Sequence, residues 1–180
     1  TDSVIAFYNF GSVGQNEIDK NAVTYKYEDQ LIPEIAYVSD NKMIAVSDKN
    51  IMVFDGSQKP KLKQKIKLEK QIDSVFYNNK YIGVAYSNND KKCTSHIKLY
   101  DFNGKMLMEN DTSIAYQNIE FDSNNEVCVT GETACEIYTI HGVKKFYHTF
   151  DQKLYKVMYK SGINNYIFIY EGAMDEVRLK

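Results

Sequence analysis

Tryptophan is absent from this chain of 180 residues, so the Trp-Asp signature of the eukaryotic scaffold repeats is missing, as are the tryptophan-containing sialidase and quinoprotein repeats, although a divergent blade can lose its signature and keep its fold. No apolar run approaches the roughly 20 residues that a membrane-spanning helix requires. The net charge of −2 predicts no general attraction to nucleic acid or to an acidic membrane. Because the 3 cysteines leave at least one unpaired, they do not imply an oxidised framework.

Two stretches of the chain share a pattern of alternating apolar residues followed by a turn that contains glycine. They are IKLYDFNGK at 97–105 and EIYTIHGVK at 136–144, and aligning Gly104 with Gly142 places them 38 residues apart. Similar runs begin at Ile51 (IMVFDGSQK) and at Ile5 (IAFYNFGS). Asn-Gly and Asp-Gly tolerate the positive φ angles of tight hairpins, so each copy predicts a strand that enters a hairpin. A period of about 40 residues is typical of a four-stranded propeller blade.

A second hairpin signal precedes the later copies. Turn dipeptides interrupt runs of Val, Ile, Phe and Tyr at Asp40-Asn41, Asn78-Asn79, Asn124-Asn125 and Asn164-Asn165. No window has a sustained helical period. The 15 tyrosines and 9 phenylalanines, against 2 prolines, also suit a protein rich in sheet.

These patterns predict an all-β fold, a β-propeller-like array of four-stranded antiparallel blades of the WD40 or YVTN kind. We expect a single domain over 1–180 that forms a partial propeller with 17 strands. The predicted blades are 1–30 (the last two strands of a blade), 31–71, 72–113, 114–153 and 154–180 (the first three strands). The strands could close into a small ring or form an open arc; we favour the arc, whose exposed blade faces could mediate self-association.

A family resemblance rests on YNFGSVGQNEIDKNAVTYKYED at 8–29 and on LIPEIAYV and the blades after it, and GSVGQNEID at 11–19 is its most specific part. The chain resembles the C-terminal half of an uncharacterised family of bacterial propellers, a domain of unknown function found in anaerobic Gram-positive bacteria. The resemblance implies an extracytoplasmic, cell-surface propeller, tethered by an N-terminal membrane anchor and preceded by further blades that this chain lacks. It supplies no catalytic residue.

Several short features could indicate a ligand site, but each has a simpler interpretation. GSVGQN at 11–16 lacks the Lys-Ser/Thr of a phosphate loop, which favours a turn between strands. His96, His141 and His148 share no spacing typical of metal ligands, so we expect no metal site and no cofactor. The acidic stretch 122–126 lacks the glycine and the terminal glutamate of a calcium loop, which favours an Asn-rich hairpin turn.

The sequence favours a non-enzymatic binding, sensing or scaffold module over an enzyme. The alternative is a hydrolase or lyase with its site at the propeller channel, completed by the blades that this chain lacks. Such an enzyme needs Asp, Glu, His or Arg converging on the channel, whereas the first strands of the blades offer mainly Tyr, Val, Ile and Phe. We therefore predict no catalytic residue, and as partner a protein or a cell-envelope polymer, with no nucleic acid and no membrane contact by this segment.

The candidate binding residues form one charged pattern, KPKLKQKIKLEK at 59–70. Its first five lysines occupy alternate positions, which on a strand places them on one face: Lys59, Lys61, Lys63, Lys65 and Lys67. This segment should be the outer strand of its blade, where lysines discourage edge-to-edge aggregation. The alternative is a surface that docks an anionic envelope polymer or an acidic partner.

Two cysteines are expected to be neighbours. If the hairpin turns at Gly131 and Glu132, Cys128 and Cys135 lie directly opposite each other. We predict adjacent but reduced thiols.

Overall fold

The computed structural model of the chain describes residues 2–8, 23–90 and 93–179, and the regular elements in these ranges are all β-strands. The predicted all-β class of four-stranded antiparallel blades is confirmed. The strands are β1 (Ser3–Phe7), β2 (Val23–Tyr27), β3 (Glu34–Ser39), β4 (Lys42–Val46), β5 (Asn50–Asp55), β6 (Lys61–Lys67), β7 (Ser74–Tyr77), β8 (Tyr81–Asp90), β9 (Cys93–Asp101), β10 (Met106–Thr112), β11 (Tyr116–Phe121), β12 (Val127–Gly131), β13 (Ala134–Tyr138), β14 (Lys144–Thr149), β15 (Leu154–Lys160), β16 (Asn165–Tyr170) and β17 (Ala173–Arg178). In the part of the chain that the structure describes, no helix is long and apolar enough to cross a bilayer.

The strands form five antiparallel sheets in chain order. Sheet 1 is β1–β2, sheet 2 is β3–β6, sheet 3 is β7–β10, sheet 4 is β11–β14 and sheet 5 is β15–β17. Within each sheet, every strand pairs antiparallel with the next strand of the chain. The described residues therefore contain three complete four-stranded sheets, one two-stranded sheet and one three-stranded sheet.

The chain divides into two compact units, which are described separately. The first contains the described residues up to 72 together with 102–104, and the second contains the described residues 73–101 and 105–179. In the first unit, the core lies between sheets 1 and 2, and Phe7, Tyr25 and Phe54 form its aromatic centre. The sequence predicts a single domain over 1–180 and an open arc of blades. Both predictions concern the two units together, and they stay predictions.

In the second unit, the middle strands of sheet 4 are buried on both faces. Val127 and Val129 of β12 belong to a core shared with sheet 3, whereas Cys128 between them belongs to a core shared with sheet 5. Since successive side chains of a strand point to opposite faces, each complete blade requires apolar residues in unbroken runs rather than in simple alternation. This explains the continuous apolar runs that the sequence shows.

The turn residues adopt the backbone conformations that the repeat predicts. Gly104 and Gly142, the two glycines that align the repeat, have φ angles of 84° and 79°. Asn125 and Asn164 of the second hairpin signal also have positive φ angles, of 61° and 57°. Asparagine tolerates this region better than most residues because its short amide can bond to the local backbone.

The prediction that the two cysteines lie directly opposite each other is wrong. The hairpin turns at Glu132 and Thr133, so that Cys128 pairs with Ile137 and Cys135 pairs with Thr130. Moving the turn by one residue shifts every pairing by two positions, which leaves the two cysteines diagonal on the same face of the sheet. Both thiols are free. The predicted glycine loop at 11–16 lies outside the described residues.

Candidate functional site

The five candidate lysines form one exposed row, hereafter the lysine row: Lys59, Lys61, Lys63, Lys65 and Lys67. Four of them lie on β6, the last strand of sheet 2, and Lys59 precedes this strand. The register of β6 with β5 shifts beside Lys63, but exposed lysines alternate with half-buried residues along the whole strand. The predicted shared face is therefore present.

The lysine row has no counter-charge among the described residues. No described carboxylate lies within 4.0 Å of any of these ammonium groups, whereas lysines elsewhere do form ion pairs. The half-buried residues between the lysines face the interior of the first unit, where Gln64 and Ile66 lie beside Gly104. The apolar side of β6 thus anchors the strand, and its charged side faces solvent.

His96 is held by two carboxylates of the neighbouring strand. Its Nδ1 lies 2.7 Å from Asp111 Oδ1 and its Nε2 lies 3.0 Å from Glu109 Oε1, while Lys98 Nζ is 3.3 Å from the same oxygen of Glu109. Hydrogen bonds from His96 and then from Lys98 lower the pKa of Glu109. The sequence does not show this pairing, because it depends on the register of β9 with β10, which brings His96 opposite Asp111.

A fully buried carboxylate occupies the interior between sheets 3 and 4. Glu136 has 0% of its surface exposed and accepts hydrogen bonds from Thr112 Oγ1 (2.5 Å), Tyr138 OH (2.8 Å) and Lys144 Nζ (2.5 Å). Burial, followed by this hydrogen bond to Glu136, raises the pKa of Tyr138 far above its usual value. With three donors and one counter-charge, the carboxylate is satisfied internally, which is typical of a structural group rather than of a catalytic one.

A second acidic group lies between sheets 4 and 5. Glu126 accepts hydrogen bonds from Lys145 Nζ, at 2.5 Å, and from the hydroxyl of Tyr166. Next to it, Asp122 Oδ1 accepts two backbone N–H groups at 2.8 Å, those of Asn124 and Glu126. Asp122 Oδ2 is buried without a partner, and burial raises the pKa of Asp122 to about 6. The stretch 122–126 is thus a hairpin turn held by its first aspartate, as the sequence favoured.

A cavity in the second unit is lined by aromatic side chains, and we call it the aromatic pocket. It has a volume of about 400 Å³. Its ring-bearing residues are Phe146, His148, Phe150, Phe168 and Tyr170, and its other lining residues include Asp151, Asp175 and Val177. The rings contact one another, with centroid distances such as 4.7 Å for His148 and Phe150. The histidine spacing gave no sign of this pocket, although FYHTF at 146–150 already places three rings at alternate positions, those of Phe146, His148 and Phe150.

Metal ligands do not cluster in the described ranges 2–8, 23–90 and 93–179, where no three His, Cys, Asp or Glu side chains converge on one point. His141 is exposed in the turn after β13 and contributes to no such cluster. The thiol of Cys128 and that of Cys135 are buried, and burial raises the pKa of Cys135 to about 12. A thiol of this kind is a poor nucleophile and a poor metal ligand at neutral pH.

Comparison with solved structures shows a propeller-type fold. A structure of a eukaryotic initiation factor is 7% identical with a TM-score of 0.61, over 99% of this chain and 49% of that chain. BBS1N, solved in complex with ARL6DN, is 11% identical with a TM-score of 0.55, over 86% of this chain and 55% of that chain. The WD40 β-propeller domain of Doa1 is 10% identical with a TM-score of 0.50, over 84% of this chain and 52% of that chain.

This chain spans about half the length of each of these three structures, and identities this low indicate a shared fold alone. No curated protein matches the sequence significantly. A model of a protein family of unknown function, DUF5711, matches residues 1–179. This match confirms that the chain resembles a family of unknown function over its whole length. The chain belongs to this family of unknown function, DUF5711.

Proposed function

We propose that the chain is a non-enzymatic binding or scaffold module that docks an acidic protein surface on the lysine row. The single observation that carries this proposal is the exposure of five lysines in one line, none of them neutralised by a described carboxylate. The carboxylates of the second unit that could serve chemistry, Glu126 and Glu136, are instead buried and already hold lysines of their own.

The spacing of the lysine row determines what it can recognise. Alternate residues of a strand lie about 7 Å apart, so Lys61 to Lys67 spans roughly 20 Å. This spacing is shorter than the Debye length of about 8 Å at physiological ionic strength, so the charges repel one another and act as one positive strip. A partner that presents carboxylates at a similar spacing relieves this repulsion, which provides both attraction and orientation.

A protein partner is favoured over an anionic polymer by the comparison of folds. One structure of similar fold, BBS1N, was solved in complex with another protein, ARL6DN. This supports protein docking as a use of the fold, and it does not identify the partner of this chain. The competing explanation is that the lysines only protect the outer strand of sheet 2 from edge-to-edge aggregation.

The test replaces Lys61, Lys63 and Lys65 with glutamine. A matched control replaces Lys49, Lys80 and Lys105, which are also exposed but scattered along the chain, and loses the same charge. Binding of poly-L-glutamate, as a mimic of an acidic protein surface, and of polyphosphate, as a mimic of an envelope polymer, is measured at several salt concentrations. We expect the row variant to lose salt-dependent binding of poly-L-glutamate while remaining monodisperse, and the scattered variant to keep it.

Four outcomes would overturn the proposal. The native protein could fail to bind poly-L-glutamate at low ionic strength, or both triple variants could lose binding equally, which would indicate net charge alone. A row variant that aggregates but binds normally would assign the lysines to edge protection. Preference for polyphosphate would replace the protein partner by an envelope polymer.

We further propose that the chain acts outside the cytoplasmic membrane, at the cell surface. The support is the family resemblance of 8–29 and the blades after it, which implies an N-terminal membrane anchor in related proteins. Treatment of intact cells with a protease that cannot cross the membrane should digest the protein. Complete resistance in intact cells, with digestion after lysis, would contradict this location.

A further inference from the structure

The outer strand of sheet 3 is joined to its neighbour by a charged side-chain network, hereafter the histidine clasp: His96, Lys98, Glu109 and Asp111. His96 and Lys98 lie on β9, and Glu109 and Asp111 lie on β10, the fourth strand of the sheet. The register of the two strands places His96 opposite Asp111 and Lys98 opposite Glu109. The clasp therefore consists of two successive cross-strand pairs on one face of the sheet.

The imidazole ring of His96 has a carboxylate oxygen beside each of its two nitrogens. Nδ1 lies 2.7 Å from Asp111 Oδ1, and Nε2 lies 3.0 Å from Glu109 Oε1. An ionised carboxylate only accepts hydrogen bonds, whereas a neutral imidazole has one donor nitrogen and one acceptor nitrogen. Only the imidazolium form, in which both nitrogens donate, satisfies the two contacts at the same time. A neutral ring places a nitrogen lone pair against one of the two carboxylates.

Three strands contribute to the charge around this ring. Tyr86 of β8 is opposite His96 in the register, and the centroids of the two rings are 6.4 Å apart. On β9, Lys98 Nζ lies 3.3 Å from the same oxygen of Glu109 that His96 contacts. On β10, these two donors lower the pKa of Glu109, which keeps its carboxylate ionised. Among the described residues, Asp111 forms its ion pair with His96 alone, so this pair depends entirely on the charge of the imidazole.

The opposite face of β10 is fastened to sheet 4 by separate contacts. The side-chain amide of Asn110 donates to the carbonyl of Gly142 at 3.1 Å, and the hydroxyl of Thr112 donates to the buried Glu136. Alternate residues of the C-terminal half of β10 thus face the clasp and sheet 4 in turn. Loss of the clasp leaves β10 attached to sheet 4 and weakens its attachment to β9.

We propose that the histidine clasp is a pH-dependent device that fastens the C-terminal half of β10 to β9 while His96 carries its proton, and releases it when the proton is lost. The folded chain favours the imidazolium because it pairs with two carboxylates there, whereas the unfolded chain has no such pairing. The clasp therefore stabilises the strand pair at acidic pH, and this contribution is lost as the pH rises. Since histidine is the side chain that ordinarily changes its charge between about pH 5 and 8, the device operates in the physiological range.

Hydrogen exchange of individual amides, measured by NMR on the full chain at about pH 5.5 and about pH 8, reports how often β10 opens. After correction for the intrinsic pH dependence of exchange, we expect the protection factors of residues 109–112 to fall about fivefold at the higher pH. This is the loss expected for one charge-assisted hydrogen bond between partly exposed groups. The β4–β5 ladder is the internal reference, because the first unit contains no histidine, and its corrected protection should not change.

Three variants separate the clasp from other titrating groups. His96→Gln has no imidazole to protonate, and it should remove the pH dependence. His141→Gln is the matched control, since His141 is an exposed histidine in the turn after β13, and it should keep the native fall. In Glu109→Gln, the new amide can donate to the lone pair of a neutral imidazole, whose other nitrogen then donates to Asp111. This variant should show equal protection at both pH values, and the ring nitrogen shifts at about pH 8 should place the remaining hydrogen on Nδ1.

The inference is overturned if the native protection of residues 109–112 is the same at both pH values, or if its fall persists in His96→Gln. It is also overturned if the β4–β5 ladder loses protection equally, or if Glu109→Gln behaves as the native chain does. The clasp belongs to the second unit and the lysine row to the first, so the inference does not rest on the proposed function. The triple variant of the lysine row should keep the native pH dependence. Loss of poly-L-glutamate binding there, with this pH dependence intact, distinguishes the two.

Discussion

The buried carboxylate Glu136 allows a sharp test of how this fold tolerates an internal charge. Two of the described lysine–glutamate pairs have equally exposed lysines but differ in the burial of the glutamate. Lys144 lies 2.5 Å from Glu136 and Lys160 lies 2.6 Å from Glu176, and the two lysines are equally exposed, at 44%. The glutamates are 0% and 59% exposed, respectively. Replacing each lysine with methionine keeps most of the side-chain volume and removes the positive charge.

We expect Lys144→Met to lower the free energy of unfolding by about 2–3 kcal/mol. Removing one partner of a fully buried pair costs about 3–5 kcal/mol, and we take a smaller figure because Lys144 itself is partly solvated. Thr112 and Tyr138 still donate to Glu136, but no counter-charge remains. Lys160→Met should cost less than about 1 kcal/mol, as is usual for exposed pairs.

Urea denaturation followed by circular dichroism and tyrosine fluorescence measures both changes. Because Lys144 and Lys160 lie in the same unit, the same unfolding transition is compared. For a chain of this size the larger loss corresponds to a decrease in Tm of about 4–12 °C. A second cycle repeats Lys144→Met in a Glu136→Gln background, where the cost should fall below about 1 kcal/mol. Equal costs for the two lysines, or an unchanged cost in that background, would refute the argument from burial.

Three further predictions concern other parts of the structure. Asp122 has a raised pKa of about 6, so its contribution to stability is fully present below about pH 4 and is lost as the pH rises through 6. As the pH rises from 4 to 7, the free energy of unfolding of Asp122→Asn should therefore increase by about 1–2 kcal/mol relative to that of the native chain, a figure discounted for partial exposure. Denaturation curves that give a difference independent of pH would contradict this prediction. Gly142→Ala and Gly172→Ala both place alanine at positive φ, and each should cost about 1 kcal/mol of stability. Gly142→Ala also displaces a side-chain amide that donates to the carbonyl of residue 142, so it should cost about 1 kcal/mol more in thermal unfolding. Equal costs would show that this amide moves freely. Because Cys128 and Cys135 are buried with raised pKa values, a thiol reagent followed by peptide mapping should modify them only after denaturation, and rapid labelling of the folded chain would show that this core opens.

The positions of the strands and turns follow from local chemistry. Gly104 and Gly142 indicate hairpins because a residue with positive φ is required at these positions and glycine meets that requirement without a steric cost. The shared face of the lysine row follows equally directly, since side chains two apart on a strand always point the same way. Both properties depend only on residues close together in the chain, so the sequence alone predicts them.

Pairing between strands is less predictable when the turn is ambiguous. The segment after Cys128 allows a turn at Gly131 and Glu132 or one residue later, and the structure has the later turn. That single step decides whether Cys128 and Cys135 are opposite or diagonal. Local propensity differs little between the two turns, whereas the packing of both faces of sheet 4 against its neighbours selects one register.

The sequence by itself therefore determined the all-β repeat, its period, most of its hairpins and the row of lysines on β6, because each of these depends on spacing along a single strand or turn. Only the tertiary structure decided that Glu136 is buried beside Thr112 of the preceding sheet, and that the rings of β14 meet those of β16 in the aromatic pocket. The physical reason is that burial and contact depend on which sheets stack and in which register. That choice is made by the summed packing of many distant residues, and no single stretch of the chain encodes it.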